Sequence, residues 1–228
     1  MTSPSCQRKP GGSFPIGRVL AAIQKASAHL EPPSVTQVAN ERRDPFRVLV
    51  ATILSLRTKD ETTEAAAARL FEVADTPQGL LRLSTRRIER LIFPVGFYRT
   101  KARRLRGIAR ALLERFGGKV PADLEALLSL HGVGRKTANL VLTLGHDLPG
   151  ICVDVHVHRI TNRMGYVHTR SPHETEMALR AILPRKHWME INDALVTFGQ
   201  TLCRPVSPWC SRCPVTAHCR RVGVARSR

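Results

Sequence analysis

Four cysteines crowd the end of the chain in the pattern Cys203-x6-Cys210-x2-Cys213-x5-Cys219. Four soft thiolates suit either zinc or an iron-sulfur cluster. Zinc ribbons usually present two short Cys-x2-Cys hooks, and this segment has one, whereas a cubane cluster tolerates a compact single loop. Spacing alone leaves both metals open. Cys6 and Cys152 lie far from the group and read as thiols outside it.

A second chemical signal is a lysine at a turn. Residues 123 to 130 read as a short amphipathic helix, stopped by His131-Gly132-Val133-Gly134 and followed by a second helix that opens Arg135-Lys136-Thr137-Ala138. Two glycines would permit positive φ and the close approach of another backbone, while the first amides of the second helix point outward with the positive end of its dipole. A phosphate fits such a place. Val133, between the glycines, is expected to pack into the angle between the helices. The dipole and nearby arginines disfavour an ammonium group on Lys136, and a neutral amine is a nucleophile that can attack a sugar carbon. The plainer alternative is that Lys136 simply contacts phosphate. A third signal is Asp154 in Val153-Asp154-Val155-His156. A carboxylate can stabilise positive charge on a sugar or help a nearby amine lose its proton. It can equally cap the helix expected to run from there to about Gly165.

The elements that must hold these groups are helical. Val19, Leu20, Ile23 and Leu30 recur at helical spacing, as do Val48, Leu49, Ile53 and Leu56, then Leu105, Ile108, Ala109 and Leu112. Breaks at Pro32-Pro33, Asp44-Pro45, Pro94 to Gly96, Gly117-Gly118 and Ser171-Pro172 cut the chain into about ten short helices with no run of alternating strands. The fold class is all-α. Residues 1 to 15, rich in Ser, Pro, Gly and basic residues, are expected to be a disordered tail.

Composition narrows the partners. Lys and Arg number 36 against 18 Asp and Glu, a net charge of +18 that attracts polyanions. Between Arg82 and Arg110 every charged residue but Glu89 is basic, and the stretch reads as a phosphate-facing surface. No run approaches the ~18 apolar residues of a membrane span, and the first residues lack an apolar signal-peptide core, so an intracellular protein is expected, in the cytoplasm or nucleoid of a prokaryote.

Together these segments resemble a known family. Leu130-His131-Gly132-Val133-Gly134-Arg135-Lys136-Thr137-Ala138 is similar to the hairpin of the endonuclease III family, helix-hairpin-helix DNA glycosylases with an associated lyase activity. That family usually has Pro at the position of His131. The resemblance implies that Lys136 is the catalytic nucleophile, that Asp154 is the second catalytic residue, and that Gly132, Val133, Gly134 and Arg135 bind DNA. It also implies a four-iron, four-sulfur cluster on Cys203, Cys210, Cys213 and Cys219, which holds structure rather than performing the chemistry. Between its first two cysteines this chain has only Arg204 as a basic residue.

A base inside a duplex must be extruded before an amine can reach its sugar, and something must fill the gap. Leu54 to Asp60 and Val95 to Ala102 resemble the family's gap-filling loops, with Arg57 where Gln is common and Phe97 where Leu is common. The plain readings are a surface arginine and a core aromatic. The resemblance covers about residues 16 to 220. It implies a cluster domain from 16–37 and 149–228, a helical barrel from 38–148 carrying the hairpin at 123–145, and double-stranded DNA in the cleft between, with Lys136 on one wall and Asp154 on the other. The expected protein is a monomer that excises oxidised pyrimidines and cuts 3′ to the abasic site. Two rivals remain: a mismatch-type adenine glycosylase, which usually has a hydroxyl residue in place of Lys136, and a non-catalytic damage-binding iron-sulfur protein.

Overall fold

A computed structural model describes residues 14–228. They form helices and no strand. The chain order is α1 (Ile16–Ser27), α2 (Ser34–Glu41), α3 (Pro45–Ser55), α4 (Asp60–Phe71), α5 (Pro77–Arg82), α6 (Thr85–Ile92), α7 (Tyr98–Phe116), α8 (Leu124–Leu128), α9 (Arg135–Leu140), α10 (Val155–Met164), α11 (Pro172–Ile182) and α12 (Ile191–Thr201). Twelve helices against about ten expected reflects brief pieces such as α5, whose six residues are too few for a periodic signal. Of the expected tail, residues 1 to 13 lie outside the described residues, and Phe14 packs its ring, tilted, with its centre 4.9 Å from that of Tyr166. None of the described helices is long and apolar enough to cross a membrane.

The helices group into two compact units. One takes the described residues up to Glu31 together with Val153–Arg228, and the other is Pro32–Cys152. In the second unit α3 is the central rod. Asp44 caps it by accepting from the Phe46 and Arg47 amides at 2.8 and 3.1 Å, and Pro45 supplies a first-turn residue with no amide to satisfy. From Phe46 to Leu54 only Arg47 escapes burial, so α3 is apolar almost all round and α2, α4, α7 and α9 pack around it. Each fully buried Leu or Ile there contributes roughly 1.5–3 kcal/mol. Helix α2 joins this unit through Ser34, whose hydroxyl donates to Asp60 at 2.7 Å, and Gln37, whose amide donates to Glu64 at 2.9 Å.

In the first unit α10 and α12 form the core pair, with α1 and α11 against them. Ile160, Leu195 and Phe198 are buried between them. Gly165 ends α10 in the left-handed region at φ 73°, where a side chain would meet Arg220.

Candidate functional site

The hairpin is built by α8 and α9. Asp123 caps α8, accepting from the Ala126 amide at 2.8 Å, and Leu127 and Leu130 are buried beneath it. Gly132 then takes φ 85°, with the Arg104 side chain so close that a Cβ would stand 2.4 Å from its Nε. Val133 turns inward and is buried in the core, its amide donating to the Leu130 carbonyl. The second glycine differs from expectation: Gly134 has φ −97° and caps α9 in extended backbone, with nothing within 4 Å of a Cβ built on it. It leaves open space in front of the helix rather than a left-handed turn.

Lys136 is the second residue of α9 and is half-buried, while Thr137 to Leu140 face the core. Its carbonyl lies 3.8 Å from the buried Cys152 thiol. Helix α9 passes directly into a π-helical turn at Val141–Gly145, where the Thr143 hydroxyl returns to the Asn139 carbonyl at 2.9 Å. Gly145 is required there, because a side chain would meet the Pro45 backbone at 2.8 Å.

Asp154 begins α10 as its N-cap. One carboxylate oxygen accepts from the His156 and Val157 amides at 2.8 and 2.9 Å, and the residue is 8% exposed. Four residues at a time, the same helix reaches the cysteines. Arg159 donates to the carbonyls of Gly199 and Cys203, and Arg163 donates to Cys203 Sγ at 3.3 Å and to the carbonyls of Arg204 and Pro205.

All four cysteines line one small recess, partly open to solvent, with Phe198, Leu202, Trp209 and Val215 as its apolar wall. Burial pushes the Cys213 thiol up to about 11, opposed by the Val215 amide and reinforced by the other three thiols. Burial raises Cys219 as well. Among the described residues no three His, Cys, Asp or Glu side chains converge as a single metal ion demands. Four thiols around one shared recess are a donor set that could hold an iron-sulfur cluster. Cationic iron would also supply the reason for four thiolates to exist together in this apolar place.

The loops holding Arg57 and Phe97 meet. Both residues sit in the left-handed region, at φ 55° and 58°, and both are exposed, Phe97 at 63%. The Arg57 guanidinium stands 5.7 Å from the centre of the Phe97 ring. Gly96 makes the meeting possible, since a Cβ there would lie 2.6 Å from the Arg57 carbonyl oxygen.

The basic stretch divides. Arg82, Arg86, Arg87, Arg90, Arg99, Arg103 and Arg110 are exposed, as a phosphate-facing surface requires. Arg106 instead donates to the carbonyls of Leu81 and Leu83, and Lys101 is 4% exposed. Lys101 Nζ donates to the Leu54 carbonyl at 2.8 Å, the Leu56 carbonyl at 2.5 Å and Thr58 Oγ1 at 3.1 Å. Burial, helped by Arg104, lowers its pKa from 10.5 to about 8. The signal for this was present in the sequence: Lys101 occupies the same helical stripe as Leu105, Ile108 and Leu112.

Residues 50–185 match the family described as HhH-GPD superfamily base excision DNA repair protein, which defines the class of this chain. Endonuclease III of Thermotoga maritima is 51% identical over 180 residues, covering 79% of this chain and 84% of that protein. The chloroplastic endonuclease III homolog 2 of Arabidopsis thaliana is 46% identical over 220 residues, covering 92% of this chain and 54% of that protein. The solved structure of a trapped endonuclease III–DNA covalent intermediate, an estranged-adenine complex, superposes with a TM-score of 0.81 at 32% identity, covering 92% of this chain and 97% of that one. The chain belongs to the endonuclease III family.

Proposed function

We propose that this protein is a bifunctional DNA glycosylase and abasic-site lyase of base excision repair. The observation that carries the reading is Lys136 at the head of α9, half-buried behind the open backbone of Gly134, in a chain similar to an endonuclease III solved as a covalent DNA intermediate. The exposed arginines of α6 and α7 hold the phosphates of double-stranded DNA, and the amides at the start of α9, with Gly132, Val133, Gly134 and Arg135, seat one phosphate beside the damaged nucleotide.

In this reading Nζ of Lys136 attacks C1′ of an extruded nucleotide through its lone pair. The glycosidic bond breaks and the base leaves with its electron pair, taking up a proton. Ring opening gives an iminium between Lys136 and the sugar. Loss of a 2′ proton then expels the 3′ phosphate by β-elimination, and water releases the amine. Asp154 stabilises the positive charge that develops on the sugar as the base departs. Its second carboxylate oxygen is available for that, because the other serves both capping amides. Arg57 and Phe97 fill the space left in the duplex.

Cys203, Cys210, Cys213 and Cys219 would hold the cluster, whose role there is to staple the C-terminal loop rather than to break bonds. The substrate class is oxidised pyrimidines, and the protein acts as a monomer.

The testing experiment offers duplexes with one lesion each and measures base release separately from nicking. Oxidised pyrimidines should give both products together. Release of free base with an intact strand, or preference for adenine opposite a mismatch, would overturn the reading.

A further inference from the structure

We infer that Lys101 is a positioning residue: its buried ammonium ties the end of α3 to the start of α7, so that Arg57 and Phe97 meet the duplex as one stacked unit. This rests on the gap-filling reading of those two side chains.

The last carbonyls of a helix have no partner within it, and a cation nearby is favoured by the helix dipole. At the end of α3, Leu54 and Leu56 offer such carbonyls, and Lys101 reaches both. An ammonium has three hydrogens to donate, and the third goes to Thr58 Oγ1. Thr58 in turn accepts from the Gly96 amide at 3.2 Å, so the loop after α3 is bound at both sides of Phe97, by Gly96 before it and Lys101 after it.

The same ties explain why a charge is kept in a core position. An apolar side chain there would fill the space and avoid desolvation, but it would leave the buried Leu54 carbonyl without this donor and the Leu56 carbonyl with only the Thr58 hydroxyl, at 3.3 Å. The conformations of Arg57 and Phe97 need holding, because left-handed backbone is disfavoured for any residue with a side chain. Lys101 and Gly96 supply the restraint from opposite ends of the loop pair. The α7 backbone completes it, the Lys101 amide donating to the Phe97 carbonyl at 3.0 Å.

The test compares Lys101→Met, of similar length but without donors, with Arg57→Ala and Phe97→Ala. Thr58→Ala, which deletes one arm of the tie, serves if Lys101→Met fails to fold. Each variant is assayed for single-turnover base release from a duplex carrying one oxidised pyrimidine. Each is also assayed for cleavage at an abasic site in single-stranded DNA, which requires neither extrusion nor gap filling. With 2-aminopurine opposite the lesion, fluorescence reports the vacated stack. Misplaced loops should slow release from the duplex between about tenfold and a hundredfold and flatten the fluorescence change, with single-strand cleavage within about twofold of wild type. Equal losses on both substrates would mean a purely structural lysine, and an unaltered duplex rate would also overturn the proposal. If Arg57→Ala and Phe97→Ala slow the duplex reaction while Lys101→Met does not, the role of Lys101 alone is refuted. If neither of those two slows it, the gap-filling reading itself fails.

Discussion

Replacing Asp154 separates a capping role from a chemical one, because the two depend on different properties of the carboxylate. The cap needs one oxygen that accepts from the His156 and Val157 amides, and both hydrogen bonds converge on Oδ1. Asn offers an equivalent oxygen and ranks with Asp at this position, so Asp154→Asn should shift stability by no more than ~0.5 kcal/mol. Asp154→Ala loses both bonds and leaves two amides of the first turn unmet, at a cost of about 1–2 kcal/mol and several degrees in melting temperature. The chemistry needs the negative charge. Without it, stabilisation of the sugar cation falls by about 3 kcal/mol, and single-turnover base excision should slow by on the order of a hundredfold in both variants. Denaturant unfolding and rapid-quench excision on the same preparations measure the two effects. An Asn variant that excises at the wild-type rate would remove Asp154 from the mechanism. One as unstable as the Ala variant would show that the cap depends on charge rather than on the acceptor.

Three further outcomes follow from the geometry. Gly134→Ala meets no atom and needs no positive φ, so stability should hold within ~0.5 kcal/mol while affinity for abasic DNA drops, measured by anisotropy titration; unchanged affinity would mean that no DNA backbone approaches this residue. Cys213→Ser should abolish the visible iron-sulfur absorbance and lower bound iron and sulfide from about four each per chain towards none; full iron content would contradict the ligand set. Lys101 carries its proton less readily folded, at about 8, than unfolded, at 10.5. The unfolded chain therefore holds more protons between those values, and raising pH through that window adds stability. Denaturant midpoints of wild type should gain on those of Lys101→Met from pH 8 to 10.5, and parallel curves would show the amine to be exposed.

Much of the fold was written in local pattern. The helical spacing of Val48, Leu49 and Ile53 marks α3 because a helix buried on nearly all sides must be apolar on nearly all sides. Asp44-Pro45 and Ser171-Pro172 mark helix starts, since each pairs a capping side chain with a residue that lacks an amide to satisfy. Gly132 and Val133 could be read for the same reason, one for its turn and the other for its apolar side chain. What escaped is what depends on residues distant in sequence. The helical stripe of Leu105, Ile108 and Leu112 marks Lys101 for burial, but its partners do not show in local pattern, since the carbonyls of Leu54 and Leu56 reach it only once α3 and α7 have packed. The stacking of Arg57 on Phe97 has the same origin. Two glycines in one turn suggested the same conformation for both, yet only Gly132 adopts it, because Gly134 already belongs to the cap of α9.

The central claim, an amine at position 136 that becomes joined to the sugar, is tested most directly by borohydride reduction in the presence of a duplex containing one abasic site. The wild-type protein should form a covalent adduct of protein plus DNA strand, stable to denaturation and linked through Lys136 on peptide mapping, and Lys136→Gln should form none while still binding the duplex. An adduct of undiminished yield in Lys136→Gln, or linkage through a different residue, would contradict the account.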